Sequence, residues 1–272
     1  MFSNEIDQLF AACQSGNGPL LPALLTKLTD NEINLNCIEW SISNGWTLLN
    51  LAASEGHAQI CQLLLDKGMD VNLGSEGVKD ENYSALLKSP QGTTPLIYAC
   101  WKGHLKTVQV LLADDDIDVN VSKRDGITAL YTSCAFGHFK IVEMLLLVDG
   151  IQVNQAGNNG ITPLSIACKD DHSKVVKMLL AATGIQVNQT NNKGWTPLNA
   201  ACFGGHLKTI ELLLTVDGIQ VNQAQHRGNT PLHCACQNGH FNTVKMLLAV
   251  EGIQVNQANN NKSTPLHVAC QK

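Results

Sequence analysis

Long apolar runs are what this 272-residue chain most conspicuously lacks: none exceeds the six residues from Leu96 to Trp101. A helix crossing a bilayer needs about 20, so membrane insertion is not expected. Charge is scarce as well, at 15% of residues against roughly 25% in an average soluble protein. Asn and Gln stand in its place. The N-terminus, Met1-Phe2-Ser3-Asn4-Glu5, has neither the basic start nor the apolar stretch of a signal peptide, which points to a cytoplasmic or nuclear chain. A net charge of -5 gives no electrostatic reason to expect nucleic acid as a partner. There is no Gly-x-x-x-x-Gly-Lys phosphate loop and no Gly-x-Ser-x-Gly elbow, so neither nucleotide nor acyl-transfer chemistry has a foothold. No catalytic residue, cofactor, metal or small-molecule substrate is expected.

What is present is a period. Thr94, Thr128, Thr162, Thr196, Thr230 and Thr264 are spaced by 34 residues, and each opens a near-identical phrase such as Thr162-Pro163-Leu164-Ser165-Ile166-Ala167-Cys168. Self-similarity at such a period marks a stacked array of one supersecondary unit. Thr-Pro starts a short helix, the hydroxyl capping an orphan N–H and proline filling a position where its missing donor costs nothing. The helix ends at Gly56, Gly103, Gly137, Gly205 and Gly239, with Asp171 in the glycine place of the fourth copy. A histidine follows each: His57, His104, His138, His172, His206 and His240. A second helix runs through a Leu-Leu pair, with Ile141, Met144, Leu145 and Val148 describing one buried face. Val-Asn and a Gln/Asn-rich turn with hairpin chemistry then lead to the next threonine.

Joint recurrence of Thr-Pro-Leu, Ala-Cys, Gly-His, Leu-Leu and Val-Asn in this order resembles the ankyrin repeat family over essentially the whole chain. The expected fold is an all-α repeat solenoid, helix-turn-helix units joined by β-hairpin-like loops, in a single elongated domain. Residues 1–46 read as a degenerate capping repeat, with Asp7 in the threonine place, and a looser connection containing Cys37 and Trp40. Residues 47–263 hold six repeats, starting near Thr47, Thr94, Thr128, Thr162, Thr196 and Thr230, with fourteen residues inserted at about 73–89. The insertion carries Glu76, Lys79, Asp80, Glu81, Tyr83 and a Leu86-Leu87 pair, and is either a tolerated loop or part of a binding face. Residues 264–272 form a truncated last repeat, and the stop at Lys272 reads as the edge of a longer protein.

The most regular residues are read as structural. Cys13, Cys100, Cys134, Cys168, Cys202, Cys236 and Cys270 occupy one repeat position. Equivalent atoms of stacked helices lie about 8–10 Å apart, too far for a disulfide, so reduced, buried thiols are expected. The densest metal-like cluster, His233, Cys234, Cys236 and His240, includes column members that must face the core. Lys106, Lys140, Lys174 and Lys208 form either a solvated row or a docking stripe for an acidic partner.

The resemblance implies that hairpin tips and the exposed end of each first helix line a concave protein-binding surface. Carried onto this chain, it picks out Trp46, Arg124, Asp125, Ile127, Ile161, Trp195, His226 and Arg227 before the threonines. After them come Tyr131, Trp101, Lys102, Phe136, Lys169, Asp170 and Phe203. Six of the thirteen aromatics fall in this set, and buried aromatics and arginines are the usual anchors of interfaces. The expected function is a monomeric, non-enzymatic scaffold or adaptor for a protein partner. The alternative is the targeting domain of a larger receptor, channel, kinase or ubiquitin-ligase component.

Overall fold

The computed structural model describes residues 3–16, 18–29, 34–36, 46–75 and 92–271. Expectations for Cys37 and Trp40, for Glu76, Lys79, Asp80, Glu81, Tyr83 and the Leu86-Leu87 pair of the insertion, and for Lys272 lie outside these residues. The described chain is an all-α array of paired helices. The pairs are α1 (Ser3–Ser15) with α2 (Leu21–Thr29), α3 (Leu48–Glu55) with α4 (Ala58–Asp66), and α5 (Pro95–Lys102) with α6 (Leu105–Leu112). They continue as α7 (Ala129–Ala135) with α8 (Phe139–Leu146), α9 (Pro163–Lys169) with α10 (Ser173–Leu180), and α11 (Pro197–Gly204) with α12 (Leu207–Leu214). The last are α13 (Pro231–Gln237) with α14 (Phe241–Leu248), and α15 (Pro265–Ala269). Contacts divide the chain into two compact units, residues 1–133 with 147–151, and residues 134–146 with 152–272.

Local chemistry sets the first helix of each pair. Thr162 is extended, with φ -85 and ψ 165, and its hydroxyl accepts the backbone N–H of Ser165 while Pro163 takes the first helical position. Thr94, Thr196, Thr230 and Thr264 do the same, and Thr47 caps its helix likewise with Leu48 in the proline place. At the other end, Gly56 and Gly103 adopt left-handed φ of 81 and 78, and the N–H groups of His57 and His104 reach back to the carbonyls of Ala52 and Ala99. This is the arrangement that satisfies the last orphan carbonyls of a helix.

Within the first unit α3 packs between α1 and α5, and α4 against α6. Within the second, α9, α11, α13 and α15 follow one another in contact, as do α8, α10, α12 and α14. Small side chains allow the close approach: Ala167, Cys168, Ala201 and Cys202 are fully buried. The second helices bury a stripe rotated from the one their spacing suggests. In α8 it is Ile141, Val142 and Leu145 that are buried, with Met144 and Val148 half-exposed.

The histidines bind one repeat to the one before. The ring Nε2 of His104 lies 2.9 Å from the Ser54 carbonyl, that of His172 3.0 Å from Ala135, that of His206 2.9 Å from Lys169, and that of His240 2.9 Å from Phe203. Each ring therefore serves a carbonyl at the end of the preceding first helix. Glycine makes room for it: a Cβ on Gly137 would lie 2.6 Å from the His172 ring, and one on Gly205 2.6 Å from His240. Gly-His recurs because the two residues meet across successive repeats.

Asparagine staples the outer loops in the same way. The Asn154 side chain donates to the Gly184 carbonyl at 2.8 Å and accepts the Gln186 N–H at 2.9 Å; Asn188 and Asn222 repeat both bonds one and two repeats on. Asn36 does likewise with Gly68 and Asp70, at 3.4 and 2.8 Å. Leu35-Asn36 is thus the Val-Asn step of the first repeat, a match hidden in the sequence by the irregular spacing that follows it.

Hairpin tips are closed by backbone bonds, Lys123 N–H to Ile127 at 3.1 Å and Asn191 N–H to Trp195 at 3.0 Å being examples. Successive tips are tied as well, with Asn192, His226 and Asn260 N–H donating to the carbonyls of Asn159, Lys193 and Arg227. The ends of the insertion are held by the same pairing: Ser75 N–H donates to Thr93 at 3.0 Å and Gly92 N–H to Ser75 at 2.7 Å. The extra chain therefore leaves and re-enters at a hairpin tip.

The nine described cysteines form no disulfide among themselves. Cys13, Cys100, Cys134, Cys168 and Cys202 are fully buried, but Cys236 is half-buried and Cys270 exposed. The column is dry only where a further first helix stacks over the thiol, which is not so for Cys270 among the described residues. Burial pushes the thiols of Cys13, Cys61, Cys100 and Cys234 up to about 12.

Candidate functional site

In the first unit, the Trp46 ring lies 4.4 Å from that of Tyr98, which is fully buried. Trp101 is 39% exposed, and the Lys102 ammonium sits 4.8 Å above its ring. Arg124 is exposed, Ile127 half-exposed, and Asp125 pairs with Lys123 at 3.1 Å. Tyr131 is placed differently from its expected position on the open face. It is the third residue of α7 and only 7% exposed.

In the second unit, Phe136 is 52% exposed and stacked on His138 at 6.1 Å. Lys169 and Asp170 are exposed and pair at 3.6 Å. His226 and Arg227 are exposed at the next hairpin tip. Trp195, half-buried, and Phe203, which is 47% exposed, meet edge to face with centroids 5.4 Å apart and planes at 75°.

Around this pair the side chains converge. Ile161, Lys169, Trp195 and Phe203, four of the residues singled out by the sequence, line one cavity of about 310 Å³, completed by Ser165, Asn191, Lys193, Thr196 and Ala200. Ser165 and Ala200 stand one helical turn before Lys169 and Phe203, on the same face. That spacing is a signal which could have drawn them in. The rim is fixed by its turn: Asn191 Oδ1 accepts the N–H groups of Lys193 at 2.8 Å and Trp195 at 3.1 Å. Gly194 takes φ 76 there, and a Cβ on it would lie 2.5 Å from the His226 ring.

Among the described residues, histidine and cysteine do not gather at a metal-like site. His233 is buried, its Nε2 3.0 Å from the Ser263 carbonyl and its Nδ1 taking the Thr230 N–H at 3.2 Å, while Cys234 faces the core and His240 serves Phe203. Among the described residues no three His, Cys, Asp or Glu side chains are grouped as a metal ion would require. Lys106, Lys140, Lys174 and Lys208 are exposed, with Lys174 4.9 Å over the Phe139 ring. No helix among the described residues is long and apolar enough to cross a membrane.

Capped helix pairs, cross-repeat histidine and asparagine bonds and tied hairpin tips define a helical repeat protein whose frame is constant and whose tips and first-helix ends vary. The family model for ankyrin repeats (3 copies) matches residues 9–123, 79–156, 117–191, 146–225 and 216–272, and the chain belongs to the ankyrin repeat family. It is similar to Alpha-latrotoxin-Lh1a of Latrodectus hasselti, 29% identical over 115 residues, which is 42% of this chain and 7% of that protein. It is also similar to the Probable E3 ubiquitin-protein ligase XBOS33 of Oryza sativa subsp. japonica, 42% identical over 64 residues, or 24% of this chain and 10% of that protein. The matches thus cover a tenth or less of these relatives.

Proposed function

We propose that this chain is a non-enzymatic recognition scaffold that binds a protein partner through its hairpin tips and the exposed ends of its first helices. The observation that carries this is the Trp195–Phe203 pair, a half-buried ring and a half-exposed one walling a cavity, while the repeated residues beneath them are consumed in holding the frame. Exposed aromatics of this kind supply contact area with little entropy to lose. Phe136 and Phe203 are half-exposed, so Phe136→Ala with Phe203→Ala should leave the fold intact and abolish capture of partners. The check is affinity capture with crosslinking, beside a circular dichroism melt. An unchanged set of crosslinked partners would refute the reading.

A second reading has the array as the targeting part of a larger protein. Its support is the similarity to XBOS33, a probable ubiquitin ligase of which the match covers 10%. An endogenous product much larger than 29.3 kDa on an immunoblot would favour it.

A further inference from the structure

Two lysines bracket the cavity that Trp195 and Phe203 wall. They stand on different repeats: Lys169 at the end of α9, Lys193 in the hairpin that leads to α11. Between them the lining is mainly apolar, from Ile161, Ala200 and the two rings. At about 310 Å³ the cavity lies at the low end of ligand sites. That suits one large side chain with its flanking backbone better than an extended cofactor. The edge-to-face rings form two walls of a corner, so an apolar side chain entering it contacts both.

Charge decides what must flank that side chain. Lys169 is already engaged by Asp170 at 3.6 Å. Among the described residues Lys193 has no carboxylate partner within ion-pair distance, and its backbone is locked by the Asn191 turn. The site is therefore preformed, with one available cation and one shared cation beside an apolar corner. Preorganisation of this kind removes an ordering cost from binding.

We infer that this cavity takes a peptide segment presenting a bulky apolar side chain next to an acidic residue, the carboxylate meeting Lys193 first and Lys169 second. This rests on the protein-recognition reading above and adds the chemical class of the segment. Lys193→Glu should then weaken binding more than Lys169→Glu, because Lys169 is partly neutralised. Asp170→Asn should tighten binding, because it releases Lys169.

The test is selection of a random dodecapeptide phage library on the full 272-residue chain, followed by fluorescence anisotropy with a labelled selected peptide. Expected are sequences pairing Leu, Phe or Trp with Asp or Glu, competing with one another, weakened by salt, and lost on Phe203→Asp. Lys193→Glu should cost roughly tenfold in affinity, since an attraction becomes a repulsion. Selected peptides without acidic bias, binding indifferent to Lys193→Glu, or an empty selection would each overturn the inference. Should partner capture still depend on Phe136 and Phe203 in that event, the recognition reading stands and only the acidic-anchor assignment falls.

Discussion

Asp171 stands where five other repeats have glycine, and it holds φ 58, a conformation that costs an ordinary residue about 1 kcal/mol. Its carboxylate explains the tolerance. Thr209 Oγ1 donates to it at 2.8 Å, and the His206 ring lies 3.7 Å away. The equivalent hydroxyls of Thr107 and Thr243 are buried without a partner among the described residues. Asp171→Ala keeps the backbone strain and strands the Thr209 hydroxyl, so it should destabilise by about 1–2 kcal/mol. Asp171→Gly loses the same bond but relieves the strain, and should cost clearly less. Urea midpoints of the two variants decide this; equal losses would show that the carboxylate, not the backbone, sets the balance.

At the level of the helix, the start signals were legible because they are local. A threonine cap and a proline need only the next three residues, and each expected start from Thr47 to Thr264 is occupied by a capped helix. Three starts carry a further reciprocal bond, in which Asn199, His233 or His267 returns a side chain to the threonine N–H. His233 does this from a buried position, and burial holds its ring below the ordinary imidazole value of 6.5. Unfolding exposes a ring that takes up a proton more readily, so this contribution is full above 6.5 and is lost as pH falls through and below it. His233→Asn, copying the Asn199 box, should keep stability near neutrality and lose less on acidification. The gap between the two stabilities should widen steadily as pH falls from about 7.5 to about 5. Parallel curves would contradict the assignment.

Across the whole molecule, the buried thiols link stability to alkaline pH. Cys13, Cys61, Cys100 and Cys234 are raised from 9.0 to about 12 by burial. Their folded values exceed the unfolded one, so stability is complete below 9.0 and declines as pH rises from there towards 12, where the folded thiols would themselves ionise. Each such thiol can contribute up to about 1.4 kcal/mol per pH unit in that window. Urea midpoints under reducing conditions should therefore fall steeply above about pH 9. A flat profile would mean that the thiols meet water in the folded state.

Sequence by itself determined the unit, its period and its family, because caps, left-handed glycines and apolar faces are fixed by chemistry within a few residues. It also marked the variable positions as the ones outside the frame. Only the tertiary structure decided which of those positions meet. Ile161 and Trp195 are 34 residues apart, and Lys169 and Phe203 likewise, yet they share one cavity because neighbouring repeats pack face to face. The same packing buries Tyr131, uses each histidine on the carbonyl of the repeat before, and identifies Asn36 as a staple. Such contacts join residues one repeat or more apart, and no local rule of spacing says which side chain will find which neighbour.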